Sequence, residues 1–280
     1  MLEASAPLAE HHLALAEIYR SIGENEQAAS HYHAALRYQR DLPQAHAGLA
    51  CLKMPGEDYY AWLDRLYAAL APETVMEIGI GEGHSLARLR PPTVAIGVDP
   101  KPIVAVPLHT ETHIFSETSD AFFARQGPDA VLRGRPLSIG FIDGLHLYEQ
   151  ALKDFINLER YCGPRSVILV HDTIPLDEAT QSRMHETRFY TGDVWKMVLC
   201  LREYRPGLGI FTIATPWTGL TVITGLESSS RELAERYDEA VARYIDKPYA
   251  ELAADVEVSL NVVPNDWCIV AARLKARGLL

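Results

Sequence analysis

Thr74-Val-Met-Glu-Ile-Gly-Ile-Gly-Glu-Gly-His-Ser85 is the stretch from which the rest of the chain is best read. A short apolar run ends in an acid, Glu77. Glycines then alternate with residues that carry side chains, at Gly79, Gly81 and Gly83, and a helical pattern opens over Ser85–Leu89. That order predicts a buried strand, a tight turn and a helix. The glycines can take positive φ and let a ligand lie against bare backbone. The unpaired N–H groups at the start of the expected helix would face the same spot.

On the C-terminal side the same alternation repeats. Strands are expected at Thr93–Val98, Thr112–Phe115, Leu137–Ile142 and Ser166–Val170, with helices from Ala121 and over Tyr148–Arg160. Asp193 is expected to cap a helix that carries Val194, Met197, Val198 and Leu201. Gly209–Ala214 and Leu220–Thr224 flank Pro216-Trp217-Thr218-Gly219 and predict a hairpin. The expected fold is α/β: a doubly wound, mostly parallel, Rossmann-like sheet of seven strands that ends in an antiparallel hairpin. A charged helix over roughly Ser229–Tyr244 leads the tail, so residues 226–280 are expected to form a mostly helical extension.

On the N-terminal side, residues 8–54 are alanine-rich with a helical period. Leu15, Tyr19, Gly23, Ala28, Tyr32 and Ala35 fall where a tetratricopeptide repeat places its small and aromatic packing residues. Residues 1–56 thus read as an α-helical appendage of about one and a half repeats, too few to stand alone. It is expected to dock on the domain at 57–225 or to join copies of the chain in a homo-oligomer. A helix over Asp58–Leu70 leads into the first strand.

Composition narrows the function classes. The chain has 280 residues, 48% of them hydrophobic, and a net charge of −11 with no run of Lys or Arg. Nucleic acid and anionic membranes are poor partners for such a surface. No apolar run approaches the roughly 20 residues that span a bilayer. Cys51, Cys162, Cys200 and Cys268 are far apart and lack zinc spacing, which predicts buried free thiols and a cytoplasmic protein.

In an open parallel sheet, ligands sit beyond the carboxyl ends of the strands. Glu77, Asp99, Ser119, Asp120, Asp143, His146, His171 and Asp172 all fall at such ends. An acid about 20 residues after a glycine turn can accept from both hydroxyls of a ribose, so Asp99 marks a nucleoside. An acid before the first glycine would repel a pyrophosphate but suits a cationic amino-acid group. Glu77, together with the terminal hairpin, therefore favours S-adenosylmethionine over a dinucleotide. Asp143 and Asp172 end consecutive strands, so their carboxylates can converge, and His146 lies one turn beyond Asp143.

Phe141-Ile-Asp-Gly-Leu-His-Leu-Tyr148 and Leu169-Val-His-Asp172 carry a resemblance. The chain resembles class I S-adenosylmethionine-dependent methyltransferases, and more narrowly the small-molecule O-methyltransferases of the catechol, caffeoyl-CoA and macrocin types, over about Thr74–Gly225. The resemblance implies that Asp143 binds a divalent metal beside the methyl donor, and that His171 and Asp172 complete the metal site. It makes His146 the general base, and it places Ser85 at the methionine part and Ser119 at the adenosine. Because His171 stands where the family commonly has an acid, three outcomes stay open: His171 points away and Asp143 with Asp172 hold magnesium, the expected ion; the ion is manganese, iron or zinc; or none binds. A hydroxylated small molecule is the expected acceptor. Two alternatives stay open on the same fold: a metal-dependent oxygenase or hydrolase, and a degenerate scaffold protein. The polar connection 174–192, with the chain after Gly225, is expected to act as a lid that sets acceptor choice.

Overall fold

In the computed structural model, which describes residues 5–280, eight strands form one sheet in the order β3-β2-β1-β4-β5-β7-β6-β8. The strands are β1 (Thr74–Ile78), β2 (Val94–Val98), β3 (Glu111–Phe115), β4 (Leu137–Ile142), β5 (Cys162–His171), β6 (Gly209–Ile213), β7 (Leu220–Thr224) and β8 (Val262–Val263). β1 to β5 are parallel neighbours, and β7 inserts antiparallel between β5 and β6. The strand beyond the expected seven is β8, which extends the edge alongside β6.

β1 and β2 are buried along their whole length because both faces of the sheet are covered. Alternate residues feed two cores. Met76, Ile96, Ile168 and Val170 face α7 (Tyr148–Glu159) and α8 (Trp195–Tyr204). Val75, Ala95, Phe141 and Leu169 face α4 (Tyr59–Leu70) and α13 (Trp267–Ala276). Asp58 starts α4 by accepting from the Ala61 N–H at 2.9 Å. The Trp62 Nε1–H donates to Asn265 at 2.8 Å, which ties α4 to the chain just before α13.

The alternation of strand and helix breaks in two places. The expected helix from Ser85 is a 3₁₀ turn of three residues, Leu86–Arg88. Pro91 and Pro92 follow at once and β2 begins at Val94, so no length is left for a helix. Between β2 and β3 there is likewise no helix, in a segment holding Pro100, Pro102 and Pro107. The glycine turn therefore has no helix terminus behind it. It is braced by the β2–β3 loop instead, since the N–H groups of Ile103 and Ala105 donate to Gly81 O and Glu82 O.

The tail is also more broken than its period predicts. α9 (Glu232–Glu235), α10 (Tyr237–Tyr244), α11 (Tyr249–Ala254) and α12 (Val256–Leu260) replace one long helix. Asp193 is not the simple cap of its own helix. Its buried Oδ1 accepts from the Tyr148 N–H at the start of α7 (2.9 Å), while Oδ2 binds Arg183 and Lys196. Cys162 and Cys200 are buried, Cys51 is half-buried, and Cys268 is exposed, against the expectation that all are buried.

The N-terminal helices α1 (Ser5–Ser21), α2 (Asn25–Tyr38) and α3 (Pro43–Lys53) pack into the α7/α8 core; residues 1–4 of the expected 1–56 appendage lie outside the described residues. They meet the connection after β5. Arg188 donates to Asp41 from its backbone N–H (2.8 Å) and from Nε (2.9 Å), His46 stacks on Phe189, and the Lys53 ammonium donates to Leu176 O. Among the described residues no helix is long and apolar enough to cross a membrane.

A buried ion pair fixes α7 to α8. Arg205 meets Glu159 through two hydrogen bonds of 2.7 and 2.9 Å, and Glu159 also accepts from the Glu227 N–H. Arg205→Met should leave that carboxylate buried without its countercharge and lower stability by about 3 kcal/mol. Urea denaturation measures this; a loss below 1 kcal/mol would show the pair to be dispensable.

Candidate active site

The site starts from backbone. Gly79 has φ +88°, and a Cβ there would lie 2.0 Å from the Asp143 carbonyl oxygen. Only glycine lets the ends of β1 and β4 come this close. The Gly79 N–H donates to Val98 O and the Asp143 N–H to Ile78 O, each at 2.9 Å, so the ends of three strands are laced together. This is where strand order reverses, which is the place an α/β sheet offers to a ligand. Gly81 has φ +51° and open space where a side chain would be.

Two cavities flank this junction and share Gly79, Gly81 and Asp143. One, of about 460 Å³, is lined by Asp99, Ser119, Asp120, Gly144 and Leu145, with Gln150 and Asp154 from α7. The other, of about 380 Å³, holds Glu77, Ser85, His146, His171 and Asp172, with Tyr59 and Tyr60 from α4. Of the residues singled out in the sequence, Gly83 alone lines neither. It takes φ +83° and sits against the Val104 side chain, so its role is in the turn.

Asp99 is half-buried and already engaged. Oδ2 accepts from the N–H groups of Ile80 (2.9 Å) and Gly81 (3.2 Å), and Oδ1 from Lys101 N–H (2.7 Å). It holds the glycine turn in shape at the cavity wall. Glu77 is buried; one carboxyl oxygen accepts from the Ser85 hydroxyl and the other, Oε2, has no partner. Burial pushes its pKa well above the ordinary range, with Asp143 and Asp99 adding to the effect against the Ser85 bond. An unpaired buried carboxyl oxygen is costly and suits an incoming cationic group.

Ser119 and Asp120 open α5 (Ser119–Arg125), which Thr118 caps. Gln150 Nε2 reaches both, and Lys153 binds Asp120 at 2.6 Å. The sequence reading missed Gln150 and Asp154. The available signal was an acid, Asp154, between Leu152 and Phe155 on the buried face of α7.

Across the junction, two carboxylates and two imidazoles converge. His171 Nδ1 is 3.1 Å from Asp143 Oδ1 and 3.4 Å from Asp172 Oδ2; His146 Nε2 is 3.0 Å from Asp172 Oδ2 and 3.6 Å from Asp143 Oδ1. Burial pulls the His171 imidazole down, but Asp172 and Asp143 outweigh it and hold its pKa at about 10. His146 is raised by the same carboxylates against its burial. Asp143 goes the other way: burial pushes it up, and His171 and His146 bring it well below the usual carboxylate range. His146 and Asp172 both take the left-handed region, φ +58° and +59°, where non-glycine residues store strain.

Each histidine is backed by an aromatic ring. Tyr59 lies over His171 with ring centres 4.0 Å apart, and His171 Nε2 is 3.2 Å from the Thr218 hydroxyl. Tyr190 stacks on His146 at 5.5 Å and on His185 at 4.0 Å. The connection after β5 therefore reaches the cluster, and Gly192 makes room for it, since a Cβ there would lie 1.8 Å from His146 O. Trp195 is fully buried core, as its helical position suggests.

Donor atoms of Asp143, His146 and Asp172 lie within 4.8 Å of one another, and His171 adds a second imidazole. Carboxylate oxygens and imidazole nitrogens this close and this buried fit a divalent ion. The glycine turn, Asp99 and the free Glu77 oxygen fit a nucleoside bearing a cationic amino-acid group.

Residues 76–173, from β1 to just past β5, match the family model of a methyltransferase domain. No protein of curated function matches the chain in sequence. Among solved structures it is similar to cofactor-bound Rv0187 from MTB (19% identity, TM-score 0.46, covering 65% of this chain and 87% of that one). It is also similar to the O-methyltransferase from Bacillus cereus in complex with SAH (14%, 0.44, 63% and 86%). A third is the O-methyltransferase TomG from Streptomyces achromogenes, involved in tomaymycin synthesis, in complex with SAM (16%, 0.44, 60% and 80%).

Asp154 gives the folded chain a measurable pH signature. Burial raises its carboxyl to about 6 from an ordinary value near 3.8. The folded state then favours the protonated acid, so its contribution to stability is fully present below pH 4 and is lost as pH rises through 6. Asp154→Asn should be the more stable protein at pH 7.5, by at most about 3 kcal/mol, and lose that advantage at pH 4. Denaturation at both pH values checks this; a difference independent of pH would place the proton elsewhere.

Proposed function

We propose that the chain is an S-adenosylmethionine-dependent O-methyltransferase acting on a hydroxyl of a small molecule. One observation carries this reading: the two cavities meet at the Gly79–Asp143 junction, so a nucleoside on one side and a hydroxyl on the other share one crevice. The family match over residues 76–173 supports it.

Asp99 would take the ribose hydroxyls, Ser119 and Asp120 the adenosine, Glu77 with Ser85 the ammonium end, and the bare backbone of Gly79 and Gly81 the part between. When bound, S-adenosylmethionine supplies a methyl group activated by a sulfonium. A divalent ion held by Asp143, His171 and Asp172 would polarise the acceptor oxygen. His146 is the base of this proposal. Its Nε2 faces the convergence point, and Asp172, 3.0 Å away, is placed to stabilise the imidazolium formed when the hydroxyl proton arrives. The acceptor oxygen would gain the methyl as its proton passes to His146 and the sulfonium carbon–sulfur bond breaks to leave S-adenosylhomocysteine, and the remaining task is alignment. The connection 174–192 would close the acceptor side, carrying Tyr190 onto His146, and with the chain after Gly225 set acceptor choice.

Calorimetry with S-adenosylhomocysteine and a mass-spectrometric screen of hydroxylated acceptors test the reading; failure to bind the nucleoside at millimolar concentration would end it. His146→Ala should keep nucleoside affinity and lose turnover by about 10²–10⁴. Unchanged turnover would return His146 to a structural role. Asp99→Ala should weaken nucleoside binding first, and its failure to do so would misplace the ribose.

A further inference from the structure

His171 is built like a nitrogen ligand. Its two ring nitrogens face different partners: Nε2 lies 3.2 Å from the buried Thr218 hydroxyl, and Nδ1 points between Asp143 Oδ1 and Asp172 Oδ2. With Nε2–H donating to Thr218, Nδ1 and two carboxylate oxygens are aimed at one point. Without an ion the Nδ1 proton lies between the two carboxylates; a divalent ion would displace that proton and take the same lone pair and the same two oxygens. Tyr59 covers one face of the ring, with centres 4.0 Å apart. A hydrogen-bonded far nitrogen is the arrangement that fixes tautomer and orientation in metal-bound imidazoles.

This donor set differs in kind from an all-oxygen site. Magnesium is a hard ion that prefers oxygen ligands and keeps its waters. Imidazole nitrogen adds affinity along the first transition series and none of comparable size for magnesium. We propose that Asp143, Asp172 and His171, with His171 oriented by Thr218, form a mixed nitrogen–oxygen site that selects a first-row transition ion over magnesium. The proposal deepens the functional reading above and rests on it only in placing the ion beside the acceptor. Thr218 reaches this site from the turn between β6 and β7, so the terminal hairpin contributes to the metal site as well as closing the sheet.

The experiment uses the full chain stripped with chelator. Cobalt(II) chloride is titrated in and followed by its visible absorption, magnesium is added as competitor, and S-adenosylhomocysteine binding is measured on every variant by calorimetry. One cobalt per chain should bind at least about 100-fold more tightly than magnesium. His171→Asp should shrink that preference by at least tenfold. Thr218→Val should weaken cobalt about 10–100-fold. His146→Ala should leave cobalt affinity within a few-fold, because His146 is the base and not the ligand.

Equal affinity for the two ions, no cobalt binding at 1 mM, or unaltered preference in His171→Asp would overturn the proposal. So would loss of cobalt from His146→Ala with retention in His171→Asp. Nucleoside binding without ion selectivity would sink this inference and leave the transferase reading standing; ion selectivity without nucleoside binding would do the reverse. Variants that keep nucleoside affinity are folded, so weak ion binding in them is a property of the site.

Discussion

The backbone contact between Gly79 and Asp143 is the constraint on which the site depends. β1 and β4 are neighbours only because the chain reverses its direction of growth across the sheet there, and their ends touch only because residue 79 has no Cβ. Every functional element is referenced to that contact. Asp99 pins the turn from one side, the larger of the two cavities opens on the same side, and the carboxylate–imidazole cluster stands on the other. A side chain at this position would both block the crevice and push apart the strands that form it.

Electrostatics completes what the backbone begins. Asp143 and Asp172 are brought together by consecutive strands, and two imidazoles are held against them. The strain of left-handed backbone at His146 and Asp172 lies where the cluster needs it, and neighbouring packing holds it in place. Such a site is organised before any ligand arrives, which is how positioned charge contributes most to a reaction.

Much of this was legible from residues alone, for identifiable reasons. Strand residues buried on both faces leave unbroken apolar runs, and turn glycines and strand-end acids are few enough to stand out. The failures have equally local causes. A helical pattern over Ser85–Leu89 gave way to the two prolines that follow and to the short distance to β2. Asp193 read as a cap because its position relative to its own helix fits one; that its carboxylate serves α7 depends on a contact 45 residues away. Gly83 shares the spacing of Gly79 and Gly81, and only the fold of the β2–β3 loop shows that Val104 stands between it and the cavities. Tyr59, Tyr190 and Thr218 come to the cluster from three separate parts of the chain, and no spacing in the sequence joins them.

The grip of α3 and the turn before it on the connection after β5 links two parts of the molecule. Asp41, His46 and Lys53 hold the same segment that lays Tyr190 on His146. The helical face and the cavity beside His146 therefore touch one and the same segment. By reciprocity, a ligand that bound only one arrangement of this segment would strengthen its hold on the helices, and loosening the helices would cost that ligand the same free energy.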